Sequence, residues 1–139
     1  MDGVVLAGRI LFAILFVMSG LNHLTRLSMM SGYAKSRGLP APKLAVAGSG
    51  IVILAGGLMV ALGIYADLGS LLLAAFLVSA AFLMHAFWRE KDPQARAMEQ
   101  VQFSKDVALL GASLALFAFF SHAGSSLGLT ITGPLFHIN

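Results

Sequence analysis

LAVAGSGIVILAGGLMVALGIYADLGSLLLAAFLVSAAFLMHAFW, residues 44–88, holds one charged side chain, Asp67, in 45 residues. On either side of it the windows 44–66 and 68–88 reach the roughly 20 apolar residues that a bilayer crossing requires. In lipid a backbone must satisfy its own N–H and C=O groups, so long apolar runs without the alternation of barrel strands form helices. Gly63-Ile64-Tyr65-Ala66-Asp67 between them reads as a tight turn. The stretch therefore predicts a helical hairpin embedded in a membrane.

Working outward, two more charge-poor windows appear at 4–24, whose one charge is Arg9, and at 107–123, which has none. The first differs from a secretory signal because Asp2 stands where a basic leader belongs and the apolar stretch is too long, so it is expected to be retained. The fold expected is all-α: an integral membrane four-helix bundle with short connections, one domain over 1–139. Asp92-Pro93 reads as an N-cap followed by a first-turn proline, so helix four starts near Pro93 outside the lipid. Residues 27–34 are a candidate short interfacial helix ended by Gly38-Leu39-Pro40.

The whole composition agrees, with 58% hydrophobic residues, 11% charged and mean hydropathy +0.88; a soluble domain is typically about one-quarter charged. No separate soluble catalytic domain fits the length. The absence of cysteine excludes disulfides, thiolate metal sites, iron–sulfur clusters and thiol relays. A net charge of +3 points to anionic lipid headgroups rather than nucleic acid, because the bases sit between apolar runs. Eight of the nine bases fall in the 25–43 and 89–106 connections, and no charged side chain follows Asp106. By the positive-inside rule those connections are cytoplasmic and both termini outside. Arg9 is then expected to snorkel to the outer headgroups.

Small residues let membrane helices approach, and Gly48, Gly50, Gly56, Gly57 and Gly63, with the pairs Gly57/Ala61, Ser70/Ala74, Ala75/Ser79, Ala108/Ala112 and Gly111/Ala115, are read as packing positions. Polar groups at membrane depth are candidate sites. His23, His85 and the pair Lys105-Asp106 come from three helices at similar depth near the cytoplasmic side. Arg9 lies fourteen residues from His23, about 21 Å along the helix, and cannot share one small site with it. For a quinone, His85 and Lys105 could donate to the carbonyl oxygens while Phe87 and Trp88 form an aromatic wall. Haem b with axial His23 and His85 is the weaker candidate, since two interfacial histidines are a minimal requirement. No metal site is expected, with no histidine pair at ligand spacing on one helix. The same residues also suit a structural role, with Lys105 and Asp106 marking the lipid boundary and His85 and Trp88 as anchors. His122 and His137 read as surface groups.

The ordered set of features, Arg9, Ser19-Gly20 before the polar Asn22-His23, Gly38-Leu39-Pro40, Gly56-Gly57 with Gly63, His85-Ala86-Phe87-Trp88 ahead of Asp92-Pro93-Gln94, and Phe103-Ser104-Lys105-Asp106 with Leu109-Leu110-Gly111, resembles the DoxX family of small four-helix membrane proteins over residues 4–121. That family takes its name from a subunit of a terminal quinol oxidase, also linked to a thiosulfate:quinone oxidoreductase. The resemblance implies a quinone-associated or accessory subunit working with partner oxidoreductase subunits. Other relatives belong to membrane-bound oxidoreductase complexes, and distant ones act as chaperones or cargo receptors, so the alternative is a non-catalytic assembly or binding protein that recruits partners through its basic faces. Arg9, Gly20, His85, Phe87, Trp88 and Lys105 fit the family pattern. Two positions depart from it: Ile53 stands where many members carry an acid, and Asp106 where many have Asn.

Overall fold

The computed structural model describes residues 1–138, and no strand occurs among the described residues. Helix α1, Asp2–Thr25, ends where Arg26 leaves helical geometry, and its N–H still bonds to Asn22 O at 2.9 Å. One residue later α2, Leu27–Ser36, begins. Its end is a Schellman turn: Gly38 takes φ +82, Gly38 N–H donates to Lys35 O at 2.9 Å and Leu39 N–H to Ala34 O at 3.1 Å. Helix α3, Pro42–Leu62, opens on a proline and closes at Gly63, φ +66, with Ile64 N–H donating to Met59 O at 3.0 Å. The expected hairpin turn is therefore present, although α3 stops four residues before the end of the 44–66 window because Gly63 turns the chain.

Helix α4, Ala66–Ser79, continues into a π turn over Ala80–Met84, and His85 N–H donates five residues back to Ala80 O at 3.1 Å. A 3-10 turn over Phe87–Arg89 follows. The third window was expected to stay helical to Trp88; instead regular helix ends before His85, and the wider turn moves that residue off the line of α4. Helix α5, Pro93–Ala123, has 31 residues, and the Asp92 side chain accepts from Ala95 N–H at 2.8 Å as its N-cap. Four segments are long and apolar enough to cross a membrane: Asp2–Thr25, Pro42–Leu62, Ala66–Arg89 and Pro93–Ser126.

Helix α1 packs on α3, α3 on α4 and α4 on α5, while α2 lies across α3. Phe16, Ile53, Val60, Leu73, Leu77 and Phe120 are buried together at the centre. Large apolar side chains point outward, among them Leu11, Leu44, Ile51, Met98 and Val101. In lipid such side chains meet a solvent that matches them. Glycine is required where α1 crosses α3: a Cβ on Gly20 would lie 2.8 Å from Leu54 Cβ and 2.9 Å from Gly50 O, and one on Gly50 would lie 2.6 Å from His23 Cβ. Gly56, Gly57, Ser70 and Ala74 are likewise buried. The packing expectation fails for Gly48 and Gly111, around which nothing lies within 4 Å of a built Cβ, and for Ala75, Ser79, Ala108 and Ala115, which are exposed. Spacing alone does not say which face of a helix a neighbour covers.

Candidate functional site

Bundle geometry brings the α1 C-terminus, α2, the α3 N-terminus, the end of the π turn and the first turns of α5 to one end, where eight of the nine bases lie. Just inside that charged end is a cavity of about 410 Å³ bordered by all five helices. Its walls are mainly apolar, with Phe16, Val46, Phe76 and Leu109 among them. Ser19, His23, Ser49, His85, Lys105 and Asp106 supply the polar groups. His23, His85, Lys105 and Asp106 thus share one cavity, as their common depth predicts. His23 stands on the α1/α3 crossing, where its Nδ1 lies 2.7 Å from Ser19 O and its ring meets Phe76 edge-on. Because a carbonyl only accepts, Nδ1 carries the proton and Nε2 is left free.

Asp106 is 4% exposed, and its Oδ2 has no hydrogen-bond partner. A buried carboxylate oxygen without a donor costs about 1–3 kcal/mol, and such groups concentrate at sites. Its neighbours are His85 Nε2 at 3.8 Å and Lys105 Nζ at 3.7 Å, while Lys105 itself donates to Gln102 Oε1 at 2.6 Å. The other ring nitrogen of His85, Nδ1, lies 2.7 Å from Glu99 Oε2. Glu99 Oε1 accepts from Tyr33 O–H at 2.7 Å and pairs with Arg37 Nη2 at 2.8 Å. Arg37 also pairs with Glu90 and donates to the Tyr33 oxygen, over whose ring its guanidinium sits 5.2 Å from the centroid. Burial, then the hydrogen bond to Glu99, raises the Tyr33 phenol above its ordinary value. For Arg37 burial pulls downward, but the hydrogen bonds to Tyr33 and Glu90 outweigh it and hold the guanidinium firmly charged.

Tyr33, Arg37, Glu90 and Glu99 are absent from the residues singled out in the sequence. One signal was present: Glu99 and Asp106 stand seven residues apart, about two turns, hence on one face of α5. Tyr33 meets that face from 66 residues away along the chain, and Arg37 joins it at the same Glu99, a distance no local pattern reports.

Three expected site residues, Phe87, Trp88 and Arg9, lie elsewhere. Phe87 and Trp88 do not border the cavity; they pack edge-on against Phe103, and Phe82 joins them, in an aromatic cluster on the outer surface of α4 and α5. They follow the π turn on a 3-10 turn, and nearness to His85 in the chain does not bring them to the cavity. Besides the two histidines, the rings that border the cavity are Phe16, Phe76 and Tyr33.

Arg9 does not snorkel. It is 1% exposed and sits at the opposite end, where Nε donates to Val60 O at 3.0 Å and Nη2 to Ala61 O at 2.8 Å and Leu129 O at 2.9 Å. The carbonyls of Val60 and Ala61 end α3, where partial negative charge collects, and a fixed guanidinium meets them better than headgroup water would. The segment after Gly124 straps this end. Ile131 and Thr132 N–H donate to Gly63 O at 3.0 Å, and Phe136 N–H donates to buried Asp67 at 2.6 Å. Arg9 therefore closes the fold at one end, and the polar cavity lies at the other.

No group of three or more His, Cys, Asp or Glu able to hold a metal ion occurs among the described residues. Comparison with known proteins adds one relation: the family model described as DoxX matches residues 4–86, more than half of the chain. No curated protein and no solved structure matches. Arg9, His23 and His85 fall inside the matched residues, and Lys105, Asp106 and Glu99 beyond them.

Proposed function

The chain belongs to the DoxX family of multi-pass membrane proteins, and from that premise we propose that its charged-end cavity binds a quinone and that the protein serves as an accessory subunit of a membrane oxidoreductase system. The observation that carries this reading is the cavity itself: an apolar slot of about 410 Å³ with polar groups at one end. A molecule with a carbonyl-bearing head and an apolar body suits such a slot. Lys105 is the donor available to a carbonyl oxygen, His85 becomes a second one when Nε2 is protonated, and Asp106 offers an unpartnered acceptor to a hydroxyl. A bound quinone would supply two-electron, two-proton redox chemistry. The chain's own part is to hold the head group, exclude water and carry protons at His85 and Asp106. Electrons come from a partner, since a cysteine-free chain offers no cluster or thiol pair to carry them.

Haem b across His23 and His85 suits the geometry less well. Both ring nitrogens of His85 face carboxylates of α5, and an axial ligand must free one of them. The charged end is read as cytoplasmic in a bacterial-type inner membrane, with both termini outside.

The test is a solvent extract and visible spectrum of the purified protein, combined with thermal unfolding in the presence of decylubiquinone. At a hundredfold excess over Kd a ligand stabilises by about 2.7 kcal/mol, a shift that His85→Ala should abolish. An extract without quinone together with unchanged unfolding refutes the reading. A Soret band would favour haem instead. Reporter fusions at Asn139 should behave as external, and a cytoplasmic signal reverses the orientation.

A further inference from the structure

Three titratable side chains stand in a row that begins at the cavity. Asp106 borders the cavity and is almost fully buried; the side chain of His85, next in the row, is 21% exposed, and that of Glu99, at its end, 17%. The distances along the row are 3.8 Å from Asp106 Oδ2 to His85 Nε2 and 2.7 Å from His85 Nδ1 to Glu99 Oε2. The two carboxylates are on one face of α5, and the π turn at Ala80–Met84 sets the imidazole between them. An ionised carboxylate is only an acceptor, so Nδ1 holds the proton of a neutral His85 and Nε2 is free to receive another.

From this geometry we infer that His85 and Glu99 form a proton path between the cavity and the water at the charged end. In the outward direction the Asp106 O–H bond breaks as an Nε2–H bond forms on His85. The Nδ1–H bond then breaks as Glu99 Oε2 takes that proton, and Glu99 releases it to water. Return of the ring to its Nδ1–H tautomer completes the cycle; one proton has moved and no electron has been transferred. The first gap, 3.8 Å, is longer than a hydrogen bond and closes with a small side-chain rotation or one water.

The surrounding charges suit a conduit rather than a store. From α2, Arg37 and Tyr33 hold Glu99 Oε1, and Glu90 from the preceding connection holds Arg37. The positive charge of Arg37 favours ionised Glu99, so an arriving proton is passed on. At the other end Lys105 Nζ lies 3.7 Å from Asp106 Oδ1, and His23 faces the same cavity from α1. The inference goes beyond quinone binding and holds for any cavity ligand whose protonation changes.

The experiment uses the full chain in lipid nanodiscs with no quinone added, so its outcome is separate from whether the cavity takes one. After a rapid pH jump the carboxyl C=O infrared band of Asp106, identified by its loss in Asp106→Asn, reports when protons reach the cavity. Glu99→Gln keeps an acceptor for His85 but carries no proton, and should slow the relaxation by about 10²-fold. His85→Asn should slow it by a similar factor, and Glu99→Asp should recover part of the rate. A folded Glu99→Gln or His85→Asn protein that relaxes at the wild-type rate overturns the path, because protons then reach Asp106 through the cavity. Equal slowing in Glu99→Asp and Glu99→Gln also overturns it, since the role of Glu99 would then be only to hold the structure.

Discussion

Gly50→Ala tests the packing that shapes the cavity. Its new Cβ would lie 2.6 Å from His23 Cβ and 3.4 Å from Gly20 O. Ordinary carbon–carbon contact is about 3.5–4.0 Å, so α1 has to move away from α3 by about 1 Å. Backbone that must shift to admit one methyl group costs about 1–3 kcal/mol. Gly48→Ala, two residues earlier on the same helix, meets nothing within 4 Å and supplies the reference. Both changes gain the same helix propensity, about 1 kcal/mol. Their difference therefore isolates the clash: Gly50→Ala should be about 1–3 kcal/mol less stable than Gly48→Ala. Reversible unfolding in mixed micelles measures this difference. Stabilities equal within about 0.5 kcal/mol would refute the close α1/α3 crossing. Because His23 is the side chain displaced, Gly50→Ala should also weaken binding of any ligand that fills the cavity, and Gly48→Ala should not.

Arg9→Met keeps the stem but loses three hydrogen bonds to carbonyls, and should destabilise by about 3 kcal/mol and expose the segment after Gly124 to limited proteolysis; Arg9→Lys should rescue little, because one ammonium does not span three acceptors in the guanidinium's geometry. Tyr33 has its phenol raised above the ordinary 10.0 by burial and by Glu99. Its neutral form is favoured in the folded state, so this contribution is complete below pH 10 and is lost as pH rises through the folded value. Unfolding measured from neutral to strongly alkaline pH should therefore show a decline that is shallower in Tyr33→Phe, and identical profiles would count against the Glu99 contact. Asp92→Ala removes the cap on Ala95 N–H and should lower stability by about 0.5–2 kcal/mol, whereas Asp92→Ser should retain most of it in the same unfolding assay.

Features that depend on neighbours in the chain were legible in the sequence. The Asp92 cap, the Gly63 turn and the end of α2 at Gly38 are each written in a few adjacent residues. The common depth of His23, His85, Lys105 and Asp106 follows from counting residues along helices that lipid forces into existence. Which way a side chain points once helices pack was another matter. Arg9 was read as an outward cation because one helix in isolation offers it only headgroups; the α3 carbonyls and Leu129 that it binds are 51 to 120 residues away. Phe87 and Trp88 were read as an aromatic wall from their kind and their nearness to His85 in the chain, and the π and 3-10 turns leave them outside the cavity.

The sequence by itself determined that this protein crosses a membrane as four helices, with its bases gathered at one end and its small residues crowded in α3. Lipid leaves a charge-poor backbone no other way to satisfy its hydrogen bonds. Only the tertiary structure decided that Arg9 locks the end opposite the cavity, and that Tyr33, Arg37 and Glu99 join His85 and Asp106 in one network at the other. Those contacts join helices distant in the chain, and their partners are chosen by crossing geometry rather than by local pattern.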